Sequence, residues 1–295
     1  MKLAVLIQCH KNPEQVNMLL KMLDHPQIDC FVHVDRKSDI KPMIVRSEHV
    51  FCLEDDKRVD VRWGRASMLE ATLNLIGEAN GKGEYDFYLL CSGQDLPIRP
   101  TQEIFDFLNR HLENDFVQIF ESANAGNRHE NNFDKRNAIF FPEWMLGPGT
   151  VQRIVKRAWV ELTGGYNRTF RFARRRNKTG MKFFFGSSWV CLSKRTWKWM
   201  ERYLDEHPEY YRYFINCNCP DESFFQTLLM NSPYAALRED YLHYVDWSEK
   251  RSNPKILTCA DEEKVVLSGK LFARKFDINA DAEIIERMMR RLDGE

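Results

Sequence analysis

The chain has no run approaching the roughly 20 apolar residues that span a bilayer. Its opening stretch Met1-Lys2-Leu3-Ala4-Val5-Leu6-Ile7 breaks at Gln8. That is too short for a secretory h-region, and no small-residue cleavage site follows. The expectation is therefore a protein made and kept in the cytoplasm. There is no excess of charge of either sign: 43 basic and 43 acidic residues leave a formal net charge of +0. A general nucleic-acid binder would carry a basic surplus, so that class is excluded. Asp-x-Asp, the motif by which many sugar transferases hold a divalent cation, is absent. Cys217-Asn218-Cys219 has no second cysteine pair and no His-x3-His to complete a zinc site. Neither internal repeats nor a low-complexity linker divides the chain.

What is present points to an ordered globular protein. Hydrophobic residues make up 43% and aromatics 13% of 295 residues, a length that allows one large α/β domain or two small ones. The first 120 residues alternate between two periodicities. Residues 3–7 are an apolar run, followed by a loop at 8–13 and a helical face with Val16, Leu19, Leu20 and Leu23. Ile28 to Val34 reads as a second strand, ending at Asp35, and Val50 to Leu53 as a third. A helix with Met68, Leu69, Ala71, Leu73 and Leu75 leads to a continuously apolar strand, Phe87 to Cys91. A turn cluster at 92–97 and a helix from Thr101, as N-cap, to His111 follow. This alternation predicts an α/β fold: a mostly parallel sheet with helices on both faces. Ligands of such sheets lie beyond the carboxyl ends of the strands, where the loops 8–13, 35–38, 63–67 and 92–97 gather.

The second half is less regular. Residues 122–150 read as a polar loop. Residues 153–182 carry ten basic side chains against one acid, Glu161, with Trp159, Tyr166, Phe170 and Phe172 among them. Such a stretch suits an anionic membrane surface, or simply a solvated loop. A strand-like run at 183–192, a helix from Lys194, a helix headed by Asp221-Glu222, a strand at 241–246 and a helix from Ala280 to Leu292 complete the reading. We expect one two-lobed unit over 1–295, with a nucleotide half at about 1–120 and an acceptor and catalytic half at about 121–295. Of the eight cysteines, Cys9, Cys30, Cys52, Cys91 and Cys191 lie in apolar strand-like runs and read as free, buried thiols.

The residues that could do chemistry are few. Cys219-Pro220-Asp221-Glu222-Ser223-Phe224-Phe225 puts two carboxylates at the head of an apolar helical run. Glu222 could act as a general base toward a hydroxyl; the pair also suits a helix N-terminus, Asp221 better than Glu222. Arg251 and Lys275 could neutralise a departing diphosphate in place of a metal, or be solvated surface charges. Lys275 lies between Phe272 and Phe276, which weakens the second alternative. Asp35, at a strand end, suits a contact to a base edge or ribose hydroxyl, or a turn. Trp63, Trp189 and Trp247 could stack on sugar faces; Trp189 also suits core packing.

Together these segments resemble the core-2/I-branching β-1,6-N-acetylglucosaminyltransferase family (glycosyltransferase family 14), whose wider membership includes peptide O-xylosyltransferases. The resemblance rests on 32–38 (VHVDRKS), 61–67 (VRWGRAS), 85–98 (YDFYLLCSGQDLPI), 186–189 (GSSW), 220–222 (PDE), 244–247 (YVDW) and 271–277 (LFARKFD), in the family's order. It implies a GT-A-like fold, a UDP-sugar donor, inversion at the anomeric carbon and no metal. It carries the base onto Glu222, donor contact onto Asp35 and Trp63, and diphosphate neutralisation onto Lys275 and Arg251, with Lys250 or Arg274 as alternatives to Arg251. Acceptor contact falls to Trp247, Asp95 and Trp189. Unlike the animal enzymes, the sequence shows no membrane anchor or stem, which suggests a bacterial-type member acting on a polysaccharide or lipid-linked precursor. UDP-N-acetylglucosamine is the expected donor. UDP-xylose is the alternative, and a non-catalytic nucleotide-sugar or glycan-binding protein is the rival from another class.

Overall fold

The computed structural model describes residues 1–120, 139–145, 149–164, 172, 174–177, 179–249 and 253–293. Most of the 122–150 loop therefore lies outside the described residues, as do Tyr166, Arg168, Phe170, Arg171 and Lys178 of the basic stretch.

The strands in chain order are β1 (Leu3–Cys9), β2 (Ile28–Val34), β3 (Val50–Cys52), β4 (Phe87–Ser92), β5 (Asp95–Pro97), β6 (Asp115–Val117), β7 (Val190–Ser193), β8 (Arg238–Glu239), β9 (His243–Val245) and β10 (Phe272–Arg274). Seven form one sheet in the order β3-β2-β1-β4-β7-β6-β8. Every strand in it runs the same way except β7, which is antiparallel to both neighbours. The expected α/β architecture, a mostly parallel sheet flanked by helices, is the one found.

The strand sequences explain the layering. Side chains alternate faces along a strand. Leu3, Val5 and Ile7 of β1 enter one core, together with helices α1 (Pro13–Met22) and α3 (Thr101–Arg110). Ala4 and Leu6 enter the other core, together with α2 (Ala66–Lys82) and the helices Lys194–Glu206 and Phe224–Met230. With both faces covered, β1, β2 and β4 need apolar residues at nearly every position, hence their apolar runs, interrupted in β2 by Asp29 and His33 and near the end of β1 by Gln8. Cys9, Cys30, Cys52, Cys91 and Cys191 fill gaps in these strands as small hydrophobes, and all eight cysteines are free thiols.

Several boundaries differ from the sequence reading. Pro100, not Thr101, is the N-cap of α3; the Thr101 hydroxyl donates to the Met22 carbonyl at 3.3 Å. The 183–192 run is a strand only over Val190–Ser193. Around Phe184 the backbone is held by side chains instead of a ladder: its N–H donates to Thr227 Oγ1 at 3.0 Å, and its carbonyl accepts from Ser223 Oγ at 2.9 Å. Asp221 and Glu222 do not head the following helix. They sit on a separate 3₁₀ turn, Pro220–Glu222, broken from helix Phe224–Met230 at Ser223, where φ is −140°. No helix among the described residues is long and apolar enough to cross a membrane.

A second, three-stranded sheet, β5-β10-β9, sits at the carboxyl edge of the large one. It carries residues from the far end of the chain to the loops that follow β1 and β4.

Candidate active site

The register of the large sheet lines up its carboxyl ends: Cys9 opposes Val34, and Gln8 opposes Ser92. His10, Asp35 and Gly93 therefore leave the same edge. Gly93 must be glycine, because a Cβ there would come within 2.8 Å of Cys9 Cβ and Val16 Cγ2. Segment 274–278 closes this edge from above. Gln15 Nε2 donates to the Gly93 and Phe276 carbonyls, each at 3.1 Å. Gln94 Nε2 donates to the Phe276 carbonyl at 3.1 Å, and the Phe276 N–H returns a bond to the Gln94 carbonyl at 2.8 Å. Lys11 Nζ and Asn12 Nδ2 hold the Asp277 carboxylate at 2.5 and 3.0 Å.

Lys275 is thereby delivered to the edge that carries His10, Lys11 and Asp35. Its ammonium is half-buried, and its pKa is lowered, by desolvation first and then by Arg274 and Lys11, with Asp277 and Asp95 opposing. The His10 pKa is lowered as well, by desolvation first, then by Lys11, with Lys275 and Lys37 adding and Asp35 opposing. Lys11 is paired with Asp277 and Lys37 with Asp35 and Asp60, so the charge at this edge left to meet an anionic ligand is chiefly that of Lys275. Asp35 is buried at its rim. Its Oδ1 accepts from the Lys37 N–H at 3.0 Å, its Oδ2 pairs with Lys37 Nζ at 3.2 Å, and its carbonyl accepts from Arg58 Nη2 at 2.8 Å.

Glu222 reaches the site from the other core. Cys219, in a left-handed conformation, places Pro220–Glu222, and its N–H donates to the Gly64 carbonyl at 2.9 Å. Gly64 adopts φ +71°, a conformation glycine takes without strain. Trp63, half-exposed, precedes Gly64 in the chain, so its backbone lies near the Glu222 turn. The Gly186 N–H donates to the Glu222 carbonyl at 2.9 Å. That contact requires glycine too, since a Cβ at 186 would overlap the Gln118 carbonyl oxygen at 1.8 Å. Ser188 Oγ donates to Asp221 Oδ2 at 2.6 Å, so Asp221 braces the turn and leaves Glu222, only partly buried, as the more accessible carboxylate.

Trp189 joins the two groups. The Arg274 guanidinium carbon lies 3.7 Å from the centre of its ring. Arg274 also faces Asp95, with Nε 3.5 Å from Oδ1. Asp95 is fully buried. Its oxygens accept from the Ser92 N–H at 2.8 Å and Ser92 Oγ at 2.7 Å, and His243 Nε2 stands 3.6 Å away. Burial alone would raise this carboxyl; Arg274 and His243 outweigh it and hold it below the usual carboxylate range. The same burial keeps the His243 ring's pKa low, with Asp95 opposing. With no exposed surface and both oxygens engaged, Asp95 orients Arg274 from beneath the site and does not line it.

A continuous path of contacts thus runs from Glu222 through Asp221, Ser188, Trp189 and Arg274 to Lys275, and on to the His10 and Asp35 edge. Trp247 lies two residues beyond β9, half-exposed. Because β9 and β10 are parallel, with Val245 opposite Arg274, Trp247 and Lys275 leave the small sheet in the same direction. Arg251 and Lys250 lie outside the described residues. His10 and Lys11 were missed in the sequence. The signal was present, since His10-Lys11-Asn12 follows the first strand directly at the ligand-bearing edge, but it has no charge pattern of its own.

Cys91, Asp95 and His243 each offer one ligand atom, all within 4.8 Å of one another. As a metal set they are already engaged elsewhere: Asp95 is balanced by Arg274, and burial raises the Cys91 thiol well above its ordinary value, so it stays protonated.

Comparison with known proteins gives a consistent picture. The family model described as Core-2/I-Branching enzyme matches residues 3–266. A xylosyltransferase of Ciona intestinalis is 22% identical over 307 residues, covering 95% of this chain and 33% of its own length. Xylosyltransferase 1 of Homo sapiens is 23% identical over 312 residues, covering 96% of this chain and 29% of its own. The chain thus spans about a third of the length of these curated relatives. A solved bifunctional glycosyltransferase, WbbM, aligns with 98% of this chain and 51% of its own at 10% identity and a TM-score of 0.38, too distant a likeness to carry an argument.

Proposed function

Because the chain belongs to the Core-2/I-branching enzyme family, whose model matches residues 3–266, we propose that it is an inverting glycosyltransferase moving a sugar from a UDP-sugar to a hydroxyl of a glycan acceptor. The observation that supports this most is the contact path from Glu222 to Lys275. In this reading the path links the Glu222 turn to the Lys275 segment, so that a carboxylate and a cation would face one site from its two sides.

In this reading Glu222 accepts the proton of the acceptor hydroxyl as its oxygen bonds to the anomeric carbon. The bond from that carbon to the donor's phosphate oxygen breaks, and UDP leaves with the electron pair. Its diphosphate carries about two negative charges, taken up by Lys275 and Arg251 in place of a metal. Asp35 and Trp63 contact the donor; Trp247 and Trp189 face the acceptor, with Asp95 holding Arg274 behind them. The product is a β-linked sugar. The family resemblance supports UDP-N-acetylglucosamine as donor. The relatives bearing the name xylosyltransferase support UDP-xylose as a second reading. The acceptor is a glycan or a lipid-linked glycan, and the basic 153–182 stretch belongs to this reading as the place where an anionic membrane would be met.

Hydrolysis and transfer assays with UDP-N-acetylglucosamine, UDP-xylose and UDP-glucose, each with and without EDTA, test the reading. Turnover of one UDP-sugar that persists in EDTA is expected. Activity abolished by EDTA would remove the metal-free mechanism, and thermal shift by no uridine nucleotide would remove the donor class.

A further inference from the structure

Arg58 is buried, with 9% of its surface exposed, in the loop that follows β3. A buried guanidinium is costly unless its charge and its N–H groups are met. Its carboxylate partner is a poor reason for the burial. Asp55 Oδ1, 2.9 Å from Nη1, belongs to a side chain 78% exposed and also pairs with Lys41 Nζ at 2.8 Å. An ion pair at such a rim contributes little. The other two nitrogens go to backbone. Nε donates to the Val34 carbonyl at 2.8 Å, and Nη2 to the carbonyls of Asp35 at 2.8 Å and Ser38 at 2.7 Å. These carbonyls belong to the end of β2 and the turn after it, the turn that carries Asp35.

The lacing runs both ways. Arg36 Nε and Nη2 donate to the Arg58 carbonyl at 2.9 and 2.6 Å, and the Arg36 N–H donates to the Val59 carbonyl at 3.0 Å. The Val59 N–H donates to His33 Nε2 at 2.9 Å. Burial lowers the His33 pKa to about 4, so the ring stays neutral and keeps that acceptor. On the solvent side, Lys37 Nζ meets Asp35 Oδ2 at 3.2 Å and the Val61 carbonyl at 2.5 Å. Residues 33–38 and 58–61 are therefore one bonded unit at the carboxyl edge. The Asp35 side chain has its direction set within it, since Oδ1 accepts from the Lys37 N–H of the same turn at 3.0 Å. Arg58 itself does not face a ligand, because each of its side-chain nitrogens is engaged by the protein. A lysine offers one nitrogen and no rigid fork, so it could not hold these carbonyls together.

We propose that Arg58 is a positioning residue for the nucleoside end of the donor: from beneath the 34–38 turn it sets the Asp35 carboxylate where a ribose hydroxyl or a base edge would meet it. The assignment rests on the sugar-transfer reading, in which Asp35 contacts the donor. It divides the carboxyl edge into two parts. The turn held by Arg58 governs affinity for the nucleoside, and Lys275 governs affinity for the diphosphate.

A double-mutant cycle on the full chain, read by UDP titration calorimetry and by UDP-sugar kinetics, tests it. Arg58→Lys should weaken UDP binding about tenfold and raise the UDP-sugar KM by about the same factor, with kcat within about twofold. In an Asp35→Ala background the same change should cost less than about twofold, because the carboxylate that it positions is gone. Should Arg58→Lys fail to fold, Arg36→Ala loosens the same unit from an exposed side chain. Its expected loss of UDP affinity is about threefold, absent in the Asp35→Ala background. A loss as large without Asp35 as with it, a fall in kcat at unchanged KM, or UDP affinity unaltered by Arg58→Lys would overturn the proposal. Wild-type protein that binds no uridine nucleotide would count against sugar transfer itself. Wild-type binding with additive Arg58 and Asp35 losses would count against the positioning role alone.

Discussion

Trp189 lies under Arg274, with the guanidinium carbon 3.7 Å from the ring centre. This contact couples the strand-entry segment GSSW to the ARK segment more than eighty residues later. It holds a fixed positive charge between the Glu222 turn and Lys275. A desolvated cation–π pair is worth about 2 kcal/mol, or about 30-fold in an equilibrium constant. Trp189→Leu should therefore weaken UDP binding by up to about that factor, measured by titration calorimetry, with the fold retained. Arg274→Lys should not behave as a conservative change, because the planar guanidinium both stacks on Trp189 and faces Asp95. Unchanged UDP affinity in both variants would show that the pair plays no part in the site.

Asp95 supplies a test in stability. Asp95→Asn leaves the Arg274 charge buried without its counter-ion, which should cost about 3–5 kcal/mol. The sign with pH follows from the lowered carboxyl. Its contribution is complete above the ordinary aspartate value near 4 and is lost as pH falls through the lower folded value. Urea melts from neutral pH downward should show wild-type stability declining in that acid range, with a shallower decline in Asp95→Asn. Parallel declines would mean that other carboxylates dominate.

Glu222→Gln keeps the shape of the 3₁₀ turn and removes the proton acceptor. Turnover should fall by about 10²–10⁴-fold while UDP binding stays within a few-fold of wild type. The measurement is kcat beside a UDP dissociation constant. Normal turnover would move the base elsewhere.

Lys275 gives UDP binding a pH dependence with a defined direction. Its pKa in the free protein is lowered by desolvation, Arg274 and Lys11, and a bound diphosphate favours the charged form. Affinity should be full below that lowered value and decline as pH rises through it, earlier than for an ordinary lysine near 10.4. Lys275→Ala should bind weakly at neutral pH and show little of this alkaline decline. An unaltered alkaline profile in Lys275→Ala would exclude this ammonium from the diphosphate site.

Gly186→Ala tests the seating of the catalytic turn. A Cβ would overlap the Gln118 carbonyl, so the backbone must shift where it bonds to Glu222. Overpacking of this kind costs about 1–3 kcal/mol. The expected result is a lowered denaturant midpoint together with a fall in kcat, whereas Gly81→Ala, in open space on α2, should leave kcat unchanged and raise the midpoint slightly.

Much of the large sheet was legible because both of its faces are buried. Apolar runs at β1, β2 and β4 carry that information locally, and the turn residues after them mark the ligand edge. The small sheet was harder to read. Leu271 to Phe276 looks like any short apolar segment, and its pairing with Asp95–Pro97 and His243–Val245 is set by contacts across most of the chain. The break at Ser223 was hidden for the same reason, since side chains of 223 and 227 engage Phe184 only after folding.

From its residues alone this chain determined an α/β architecture, the positions of its carboxyl-edge loops and the short set of acids, cations and tryptophans able to do chemistry. Those properties follow from periodicity and residue type, which are local. Tertiary structure alone decided that Asp95 lies beneath the site, that Arg274 rests on Trp189, and that His10 and Lys11 share an edge with Lys275. Burial, stacking and electrostatic shifts depend on distances between segments far apart in sequence, and those distances exist only once both cores have closed around the sheet.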